Sequence, residues 1–142
     1  MRTYADTSFL MSLYSPDANS PTAIDTMGSS KGDHYITVLG ELEMVNALEL
    51  RVFRKEITVS QAQSSLKDFE GDLRNGVFQL RSLSDQVFAR SRQLSRQTTA
   101  RLGIRTADLL HVAAALELEI DRFYTFDRQQ RKLVQAVGLK LN

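Results

Sequence analysis

The sequence has no cysteine, no long apolar run and almost no net charge; its 142 residues carry a formal charge of +1 at pH 7. The missing cysteine excludes a disulfide scaffold, a thiol nucleophile and a zinc site with cysteine ligands. The balanced charge excludes a protein that binds polyanions over its whole surface, so any nucleic-acid site must be a local patch. No run approaches the roughly 18 apolar residues that a membrane-spanning helix needs.

What is present is ordinary for a globular domain. Hydrophobic residues make up 42% of the chain and charged residues 25%. At this length we expect residues 1–142 to form a single domain around one core. Residues 1–6 read MRTYAD and contain no apolar segment, so we expect no secretory signal and a cytoplasmic protein that does not enter a membrane.

Short β-prone runs alternate with helical patterns along the chain. Turn residues such as Pro16, Pro21 and Gly103 separate the segments. This alternation predicts an α/β fold with a central, mainly parallel sheet covered by helices on both faces, which is a three-layer α/β/α sandwich. The predicted strands are 2–6, 34–37, 77–80, 123–126 and 139–141. The main predicted helices after the second strand are 38–54, 84–100, 107–120 and 128–137, together with one that Thr58 or Ser60 caps and that ends at Gly71, Asn75 or Gly76.

Four acidic residues lie where strand-like runs give way to helical runs or in the first helical turns. They are Asp6, Glu43, Asp108 and Asp127. In a parallel sheet the carboxyl ends of the strands and the amino ends of the helices share one edge, so these residues can meet there. Carboxylates at one point repel each other unless a cation lies between them. Oxygen ligands and negative charge favour Mg²⁺ or Mn²⁺.

Each aspartate also has a purely structural interpretation. Asp6 and Asp127 could cap the helices that follow them, and Asp108 lies two residues after Thr106, itself a possible N-cap. A carboxylate in a first helical turn complements the helix dipole by about 0.3–1 kcal/mol. Three aspartates and a glutamate at one sheet edge are nevertheless more than helix capping requires.

The third helix carries two candidate glutamates close together. Glu41 and Glu43 both lie near its start, and apolar residues occur almost all the way round this helix. The helical pattern therefore does not choose between the two side chains.

Five motifs give the chain a resemblance to PIN-domain proteins of the VapC ribonuclease-toxin type. They are YADTS at 4–8, EMVNAL at 43–48, RTADLLHVAAA at 105–115, FYTFDRQQ at 123–130 and GLKL at 138–141. They span nearly the whole chain, in the order and at the spacing of that family. The resemblance selects Glu43 rather than Glu41 as the second acidic residue.

The resemblance implies an endoribonuclease that hydrolyses RNA phosphodiester bonds with Mg²⁺ or Mn²⁺. Asp6, Asp108 and Asp127 would then be metal ligands, directly or through water. Glu43 would be a ligand or would orient the attacking water. We expect the hydroxyls of Thr7 and Thr125 to contact the carboxylates or the waters of the metal.

The resemblance also implies partners. In VapC-like proteins the early helices commonly form a homodimer and a groove for a small antitoxin segment. Here that region contains the apolar residues Phe9, Leu10, Leu13, Tyr14, Ala23, Ile24 and Met27. We therefore expect a homodimer and a cognate antitoxin, although most of these side chains should belong to the core.

Between Arg81 and Arg105 the chain carries six arginines against one acidic residue, Asp85. Such a segment is usually a solvated face. Beside an acidic metal site, Arg96, Arg101 or Arg105 could instead guide RNA, because the guanidinium group matches phosphate geometry. The segment could also dock an acidic partner.

His111 follows Asp108 by one helical turn in an apolar helix. We expect a packed, hydrogen-bonded histidine rather than a metal ligand.

Other functional classes fit less well. A phosphoacceptor receiver domain needs adjacent acids after its first strand, whereas Asp6 has no acidic neighbour. A phosphatase of the haloacid-dehalogenase type needs an aspartate at the position of Ser8. A catalytically weak binding module and a nuclease acting on DNA remain the alternatives.

Overall fold

The computed structural model describes residues 1–142 as five strands and seven helices. The strands are β1 (Arg2–Ala5), β2 (Asp33–Thr37), β3 (Gln79–Arg81), β4 (Arg122–Tyr124) and β5 (Lys140–Leu141). The helices are α1 (Thr7–Tyr14), α2 (Ser20–Ser29), α3 (Val38–Phe53), α4 (Val59–Arg74), α5 (Asp85–Leu102), α6 (Thr106–Glu117) and α7 (Arg128–Ala136).

All strand pairs in the sheet are parallel, and the strand order is β3-β2-β1-β4-β5. Strands β2 and β3 therefore lie successively further out on one side of β1. The chain then crosses over through α5 and α6, so that β4 and β5 lie on the other side of β1. The strand order reverses between β1 and β4. Ligands of open α/β sheets bind at such a switch point, outside the carboxyl ends of the strands.

Neighbouring residues on each strand point to opposite faces of the sheet and divide the core into two clusters. Tyr4 and Phe123 pack with apolar residues of α5, α6 and α7. Ala5 and Tyr124 pack with residues of α1, α3 and α4 on the other face. Helices thus cover both faces, and the predicted three-layer α/β/α architecture is confirmed.

Several helix ends follow directly from local sequence. Thr58 caps α4 through the backbone N–H of Gln61, whose side chain accepts in return from the backbone N–H of Thr58. Gly103 ends α5 with a φ of 67°, a left-handed conformation that glycine adopts without strain. The predicted cap at Thr106 is wrong, because Arg105 precedes the first helical residue and α6 begins at Thr106 itself without a side-chain cap.

Strand β4 ends at Tyr124, two residues before the predicted end. Beyond it, backbone N–H groups bond to side chains instead of to a neighbouring strand. The N–H of Thr125 donates to Asn142 Oδ1, and the N–H of Phe126 donates to Ser8 Oγ. Strand β3 likewise begins two residues late, because the N–H of Val77 closes the end of α4 by bonding to the carbonyl of Asp72.

The early apolar residues are mostly core, as expected. Phe9, Leu10 and Ala23 are buried, whereas Ile24 on α2 is 57% exposed. No helix of this protein is both long and apolar enough to cross a bilayer.

Candidate active site

The four predicted acidic residues all lie on the side of the sheet where the strands end. Asp6 directly follows β1, and Asp127 directly precedes α7 after β4. Asp108 is in the first turn of α6, and Glu43 is in the second turn of α3, which follows β2. Strands β1 and β4 are neighbours, so Asp6 and Asp127 flank the switch point of the sheet.

Asp6 is buried and accepts three hydrogen bonds. Its Oδ1 caps α1 by accepting from the backbone N–H of Phe9 at 3.1 Å, and it also accepts from Ser8 Oγ at 2.7 Å. Its Oδ2 accepts from the Thr125 hydroxyl at 2.5 Å. The capping interpretation is thus correct for Asp6, but it occupies only one carboxylate oxygen and leaves the other for a contact across the sheet edge.

Asp127 is arranged in the same way. Its Oδ1 caps α7 by accepting from the backbone N–H of Gln130 at 2.9 Å. Its own backbone N–H donates to Thr125 Oγ1 at 3.0 Å. The hydroxyl of Thr125 therefore connects the backbone of Asp127 to the carboxylate of Asp6, and the prediction that Thr125 contacts a carboxylate is confirmed.

Asp108 forms an ion pair with Arg105 and does not cap a helix. Asp108 is 8% exposed, and its Oδ2 lies 3.5 Å from Arg105 Nε, beyond an ordinary hydrogen bond, so this buried oxygen has no close donor. Arg105 also places Nη2 3.6 Å from Asp127 Oδ2. One guanidinium group thus interacts with two carboxylates, although its own side chain is 70% exposed.

Glu43 is held through one of its two oxygens. Its Oε1 accepts from the Thr7 hydroxyl at 2.7 Å and lies 2.5 Å from His111 Nε2. Thr7 directly follows Asp6, and His111 lies one helical turn after Asp108. Glu43 is therefore tied to the neighbours of both aspartates, and the predicted contact of Thr7 with a carboxylate is confirmed.

Burial and charge act differently on the three perturbed carboxyls. Burial raises the pKa of Asp6 above its ordinary value, although hydrogen bonds and the nearby His111 act in the opposite direction. Burial also raises the pKa of Asp108, and the charge of Asp127 adds to this, against the lowering effect of Arg105. Burial would raise the pKa of Glu43 too, but His111, Thr7 and Arg105 outweigh it, so that pKa is lowered.

A groove of about 390 Å³ opens beside this edge. Ser8 and Asp127 line one part of it, and Arg51 and Arg54 from the end of α3 line another. Arg51 donates to Ser15 Oγ at 2.9 Å and lies 3.9 Å from Asp17, whereas Arg54 is exposed. These two arginines were not predicted from the sequence, because nothing in the pattern of α3 indicates that its last turn faces the site.

Comparison with known families agrees with this geometry. A sequence model of the PIN domain matches residues 3–135, which is nearly the whole chain. The chain belongs to the PIN-domain family. Comparison with curated proteins by sequence found no match.

Solved structures share this PIN fold at low sequence identity. VapC20 of Mycobacterium tuberculosis, described as a toxin that cleaves the sarcin-ricin loop, superposes with a TM-score of 0.74 at 18% identity over 96% of this chain and 95% of that one. A chain of VapBC2 from Rickettsia felis, solved bound to a promoter DNA fragment, gives 0.68 at 17% identity over 100% and 98%. FitAcB from Neisseria gonorrhoeae gives 0.69 at 16% identity over 98% and 95%.

The acidic side chains of the PIN-domain site lie further apart than the sequence predicts. No three Asp, Glu or His side chains among residues 1–142 lie close enough together to hold one ion. Each carboxylate instead contacts a partner within the protein, which is Thr125 for Asp6, His111 for Glu43, and Arg105 for both Asp108 and Asp127. The four residues share an edge without forming a closed cage.

The chemistry of the donor set nevertheless suits a hard divalent cation. All four candidates present carboxylate oxygens, which Mg²⁺ and Mn²⁺ prefer. The Oδ2 atom of Asp108 is buried without a hydrogen-bond donor, and a buried charged oxygen needs a compensating cation. Arg105 supplies part of that positive charge from the protein itself.

Besides Arg51 and Arg54, two further residues near the site, Ser8 and Tyr4, were not predicted from the sequence. Ser8 bridges Asp6 Oδ1 and the backbone N–H of Phe126. The buried hydroxyl of Tyr4 lies 2.7 Å from His111 Nδ1. His111 is packed and hydrogen-bonded, as expected, but its partner is a candidate catalytic glutamate. The contacts of Ser8 with Phe126 and of Tyr4 with His111 join residues 118 and 107 positions apart in sequence, so no local pattern could have revealed them.

Proposed function

We propose that this PIN-domain protein is a divalent-metal-dependent endoribonuclease and the toxin of a toxin–antitoxin pair. The observation that carries the proposal is the hydrogen-bonded connection of Asp6, Thr125 and Asp127 at the switch point of the sheet. Asp108 and Asp127 share Arg105, and Glu43 is tied through Thr7 and His111, so the other two acidic residues border the same edge.

Asp6, Asp108 and Asp127 are the residues that would hold Mg²⁺ or Mn²⁺, with water completing the coordination. Such an ion supplies activation of the attacking water and relief of charge on the leaving oxygen of a phosphodiester. Asp6 is fixed for this role by Thr125 and Ser8. Asp108 contributes the oxygen that lacks a hydrogen-bond donor.

Glu43 has a separate task in this proposal. Both of its hydrogen bonds use Oε1, which leaves Oε2 to orient a water molecule or to act as a further ligand. Its lowered pKa keeps the carboxyl ionised, as an acceptor for a water proton requires. Because Thr7 and His111 hold it from two directions, its orientation is set before substrate arrives.

RNA would approach along the groove beside Asp127. Arg54 is exposed on its wall and can contact phosphate. Arg96 and Arg101 are exposed on α5, which ends at Gly103 near Gln129 in the first turn of α7. We propose that these arginines, together with Arg105, guide the polyanion toward the acidic edge.

A small antitoxin is the proposed inhibitory partner, and a homodimer is the proposed assembly. Support for the partner comes from solved structures of similar fold, which include a toxin–antitoxin complex from Klebsiella pneumoniae and a DNA-bound VapBC complex from Salmonella typhimurium. Those names describe the other proteins, at 14% identity in both cases. Co-expression of this chain with the product of an adjacent short reading frame would test the partner directly.

The activity is tested by incubating the purified protein with labelled RNA, and separately with DNA of the same sequence, with Mg²⁺, with Mn²⁺ or with a chelator. We expect metal-dependent internal cleavage of RNA that the chelator abolishes. Asp6→Asn and Asp108→Asn should each lose cleavage by at least about 100-fold while remaining folded, because the charge is removed but the shape is kept.

Asp25→Asn is the matched control, since Asp25 is exposed on α2 and its side chain forms no hydrogen bond or ion pair with a site residue. Cleavage of DNA but not RNA would show that the protein is a deoxyribonuclease instead of a ribonuclease. Metal-independent cleavage, or full activity in Asp6→Asn, would contradict the proposal.

A further inference from the structure

A buried row of hydrogen bonds runs from the sheet into the candidate site. Thr37 Oγ1 lies 3.2 Å from the Tyr4 hydroxyl, which lies 2.7 Å from His111 Nδ1. On the other side of the ring, His111 Nε2 lies 2.5 Å from Glu43 Oε1. The row thus joins β2, β1, α6 and α3, and it ends at Glu43, whose pKa is lowered.

The polarity of this row can be derived from the groups themselves. The Glu43 carboxylate is ionised and can only accept hydrogen bonds. His111 Nε2 must therefore carry the hydrogen and donate the hydrogen bond to Oε1. The Tyr4 hydroxyl is buried, and burial raises its pKa, so it stays protonated and can bond to Nδ1 while Thr37 bonds to its oxygen. Every member therefore has a partner, which a buried polar group requires.

Packing leaves the imidazole little freedom. His111 is 3% exposed, and its ring meets the ring of Tyr4 edge to face at a centroid distance of 5.7 Å. Gly40 lies opposite, where an added Cβ would be 3.8 Å from His111 Cε1. The ring is thus enclosed by β1, α3 and its own helix, and one of its two nitrogens faces the acidic edge.

We propose that His111 and Tyr4 are positioning residues that aim and hold Glu43 for hydrolysis, with Tyr4 fixing the imidazole so that Nε2–H points at Oε1. This inference deepens the proposed function and rests on it for its effect on catalysis. The geometry explains why a tyrosine with a buried hydroxyl stands in the first strand, where a phenylalanine would fill the same space. It also gives His111 a role that packing alone does not require.

Two substitutions of His111 separate positioning from packing. The side-chain nitrogen of glutamine can occupy the place of Nε2, whereas that of asparagine occupies the place of Nδ1. His111→Gln should therefore keep the donor to Glu43 and most of kcat. His111→Asn should lose about 10- to 100-fold in kcat with little change in KM, the usual scale for removing a partner that orients an active ligand.

Melting temperatures of both variants establish that they fold. Equal kcat values for folded His111→Gln and His111→Asn would overturn the positioning role. Tyr4→Phe should lower kcat less than His111→Asn does, because the imidazole of His111 remains and keeps its hydrogen bond to Glu43. Only the hydrogen bond between Nδ1 and the Tyr4 hydroxyl is lost. A kcat for Tyr4→Phe equal to that of the wild type would remove Tyr4 from the proposal.

Nuclear magnetic resonance of the imidazole groups tests the same contact without any activity. The chain has only two histidines, so ¹⁵N-labelled His34→Gln protein assigns the signals of His111. We expect a protected, strongly downfield Nε2–H proton that moves upfield in Glu43→Gln and exchanges faster in Tyr4→Phe. If that proton is absent, or does not respond to Glu43→Gln, the inference fails. An inactive protein with the expected spectrum would instead contradict the nuclease function alone.

Discussion

The Thr125 hydroxyl donates a hydrogen bond of 2.5 Å to Asp6 Oδ2, across the ends of two neighbouring parallel strands. Thr125 Oγ1 also accepts from the backbone N–H of Asp127 at 3.0 Å. A single buried hydroxyl thus fixes the orientation of one candidate ligand and the backbone of another. Thr125 thus donates a hydrogen bond to the site and is also the first residue after the end of β4.

Replacing Thr125 by valine keeps the shape and removes the hydroxyl. We expect Thr125→Val to lower kcat/KM by at least about 10-fold and the free energy of unfolding by about 1–3 kcal/mol, because Asp6 Oδ2 and the Asp127 N–H lose a buried partner. Chemical denaturation and a cleavage assay measure the two effects. Thr125→Ser is the matched control, because it keeps the hydroxyl and should keep both kcat/KM and the free energy of unfolding near the wild-type values. If the serine variant is as impaired as the valine variant, the methyl group of Thr125 matters instead of its hydroxyl.

The ionised Asp108 should cost the protein stability, because burial raises its pKa. A carboxyl whose folded-state pKa lies above its unfolded value stabilises the fold fully below the unfolded pKa, and that stability is lost as pH rises through the folded pKa. Asp108→Asn should therefore raise the melting temperature at pH 7 by about 2–5 °C, roughly the shift that 1 kcal/mol produces in a domain of this size.

The gain in melting temperature of Asp108→Asn should shrink toward acidic pH, where the wild-type carboxyl is also neutral. Calorimetric scans between pH 4 and pH 8 follow it. The same variant should be inactive, so stability and activity move in opposite directions. A lower melting temperature at pH 7 would mean that the Arg105 pair outweighs the cost of burial.

Much of the fold follows from local sequence, and the site follows only in part. Asp6 and Asp127 can be located because a strand-to-helix junction in a parallel sheet defines its own place on the edge. Glu43 could not be separated from Glu41 by helical pattern, because what distinguishes it is a contact with His111, 68 residues away in the chain. Arg51 and Arg54 were missed for the same reason.

The errors at strand ends have a related cause. Residues 123–126 have strong β propensity, but the N–H groups of Thr125 and Phe126 are taken by Asn142 and Ser8. Propensity describes a residue's preference for an extended backbone and contains nothing about which side chains will compete for its hydrogen bonds. The strand therefore stops where the site begins.

Phosphate contacts by the exposed arginines predict a characteristic salt dependence. Each lost contact with single-stranded RNA should reduce the slope of log K against log salt concentration by about 0.7. We expect this of Arg54→Ala in the groove and of Arg101→Ala on α5, with unchanged melting temperatures. The slope is measured by fluorescence anisotropy with labelled RNA. Each arginine substitution is made in the inactive Asp108→Asn protein, so that the RNA stays uncleaved.

Lys67→Ala provides the comparison for these arginines, since Lys67 is exposed on α4, away from the groove. If Arg54→Ala and Lys67→Ala give the same slope, RNA does not follow the groove. Arg51→Ala should differ from both by lowering the melting temperature, because Arg51 ties α3 to Ser15 and Asp17.

Arg105 and a divalent cation would compete for the same carboxylate oxygens. The guanidinium lies 3.5 Å from Asp108 Oδ2 and 3.6 Å from Asp127 Oδ2. Because the guanidinium of Arg105 is itself exposed, we expect its ion pairs to be worth about 0.2–1 kcal/mol, the range of surface pairs. Arg105→Gln should therefore bind Mn²⁺ about 2- to 5-fold more tightly in isothermal titration calorimetry. Arg101→Gln removes an equal charge from an exposed side chain that pairs with none of the carboxylates. It should leave the affinity within about 1.5-fold, because salt at about 0.15 M screens charges that are not in contact. Weaker Mn²⁺ binding by Arg105→Gln would mean that Arg105 organises the two aspartates for the ion instead of occupying its place.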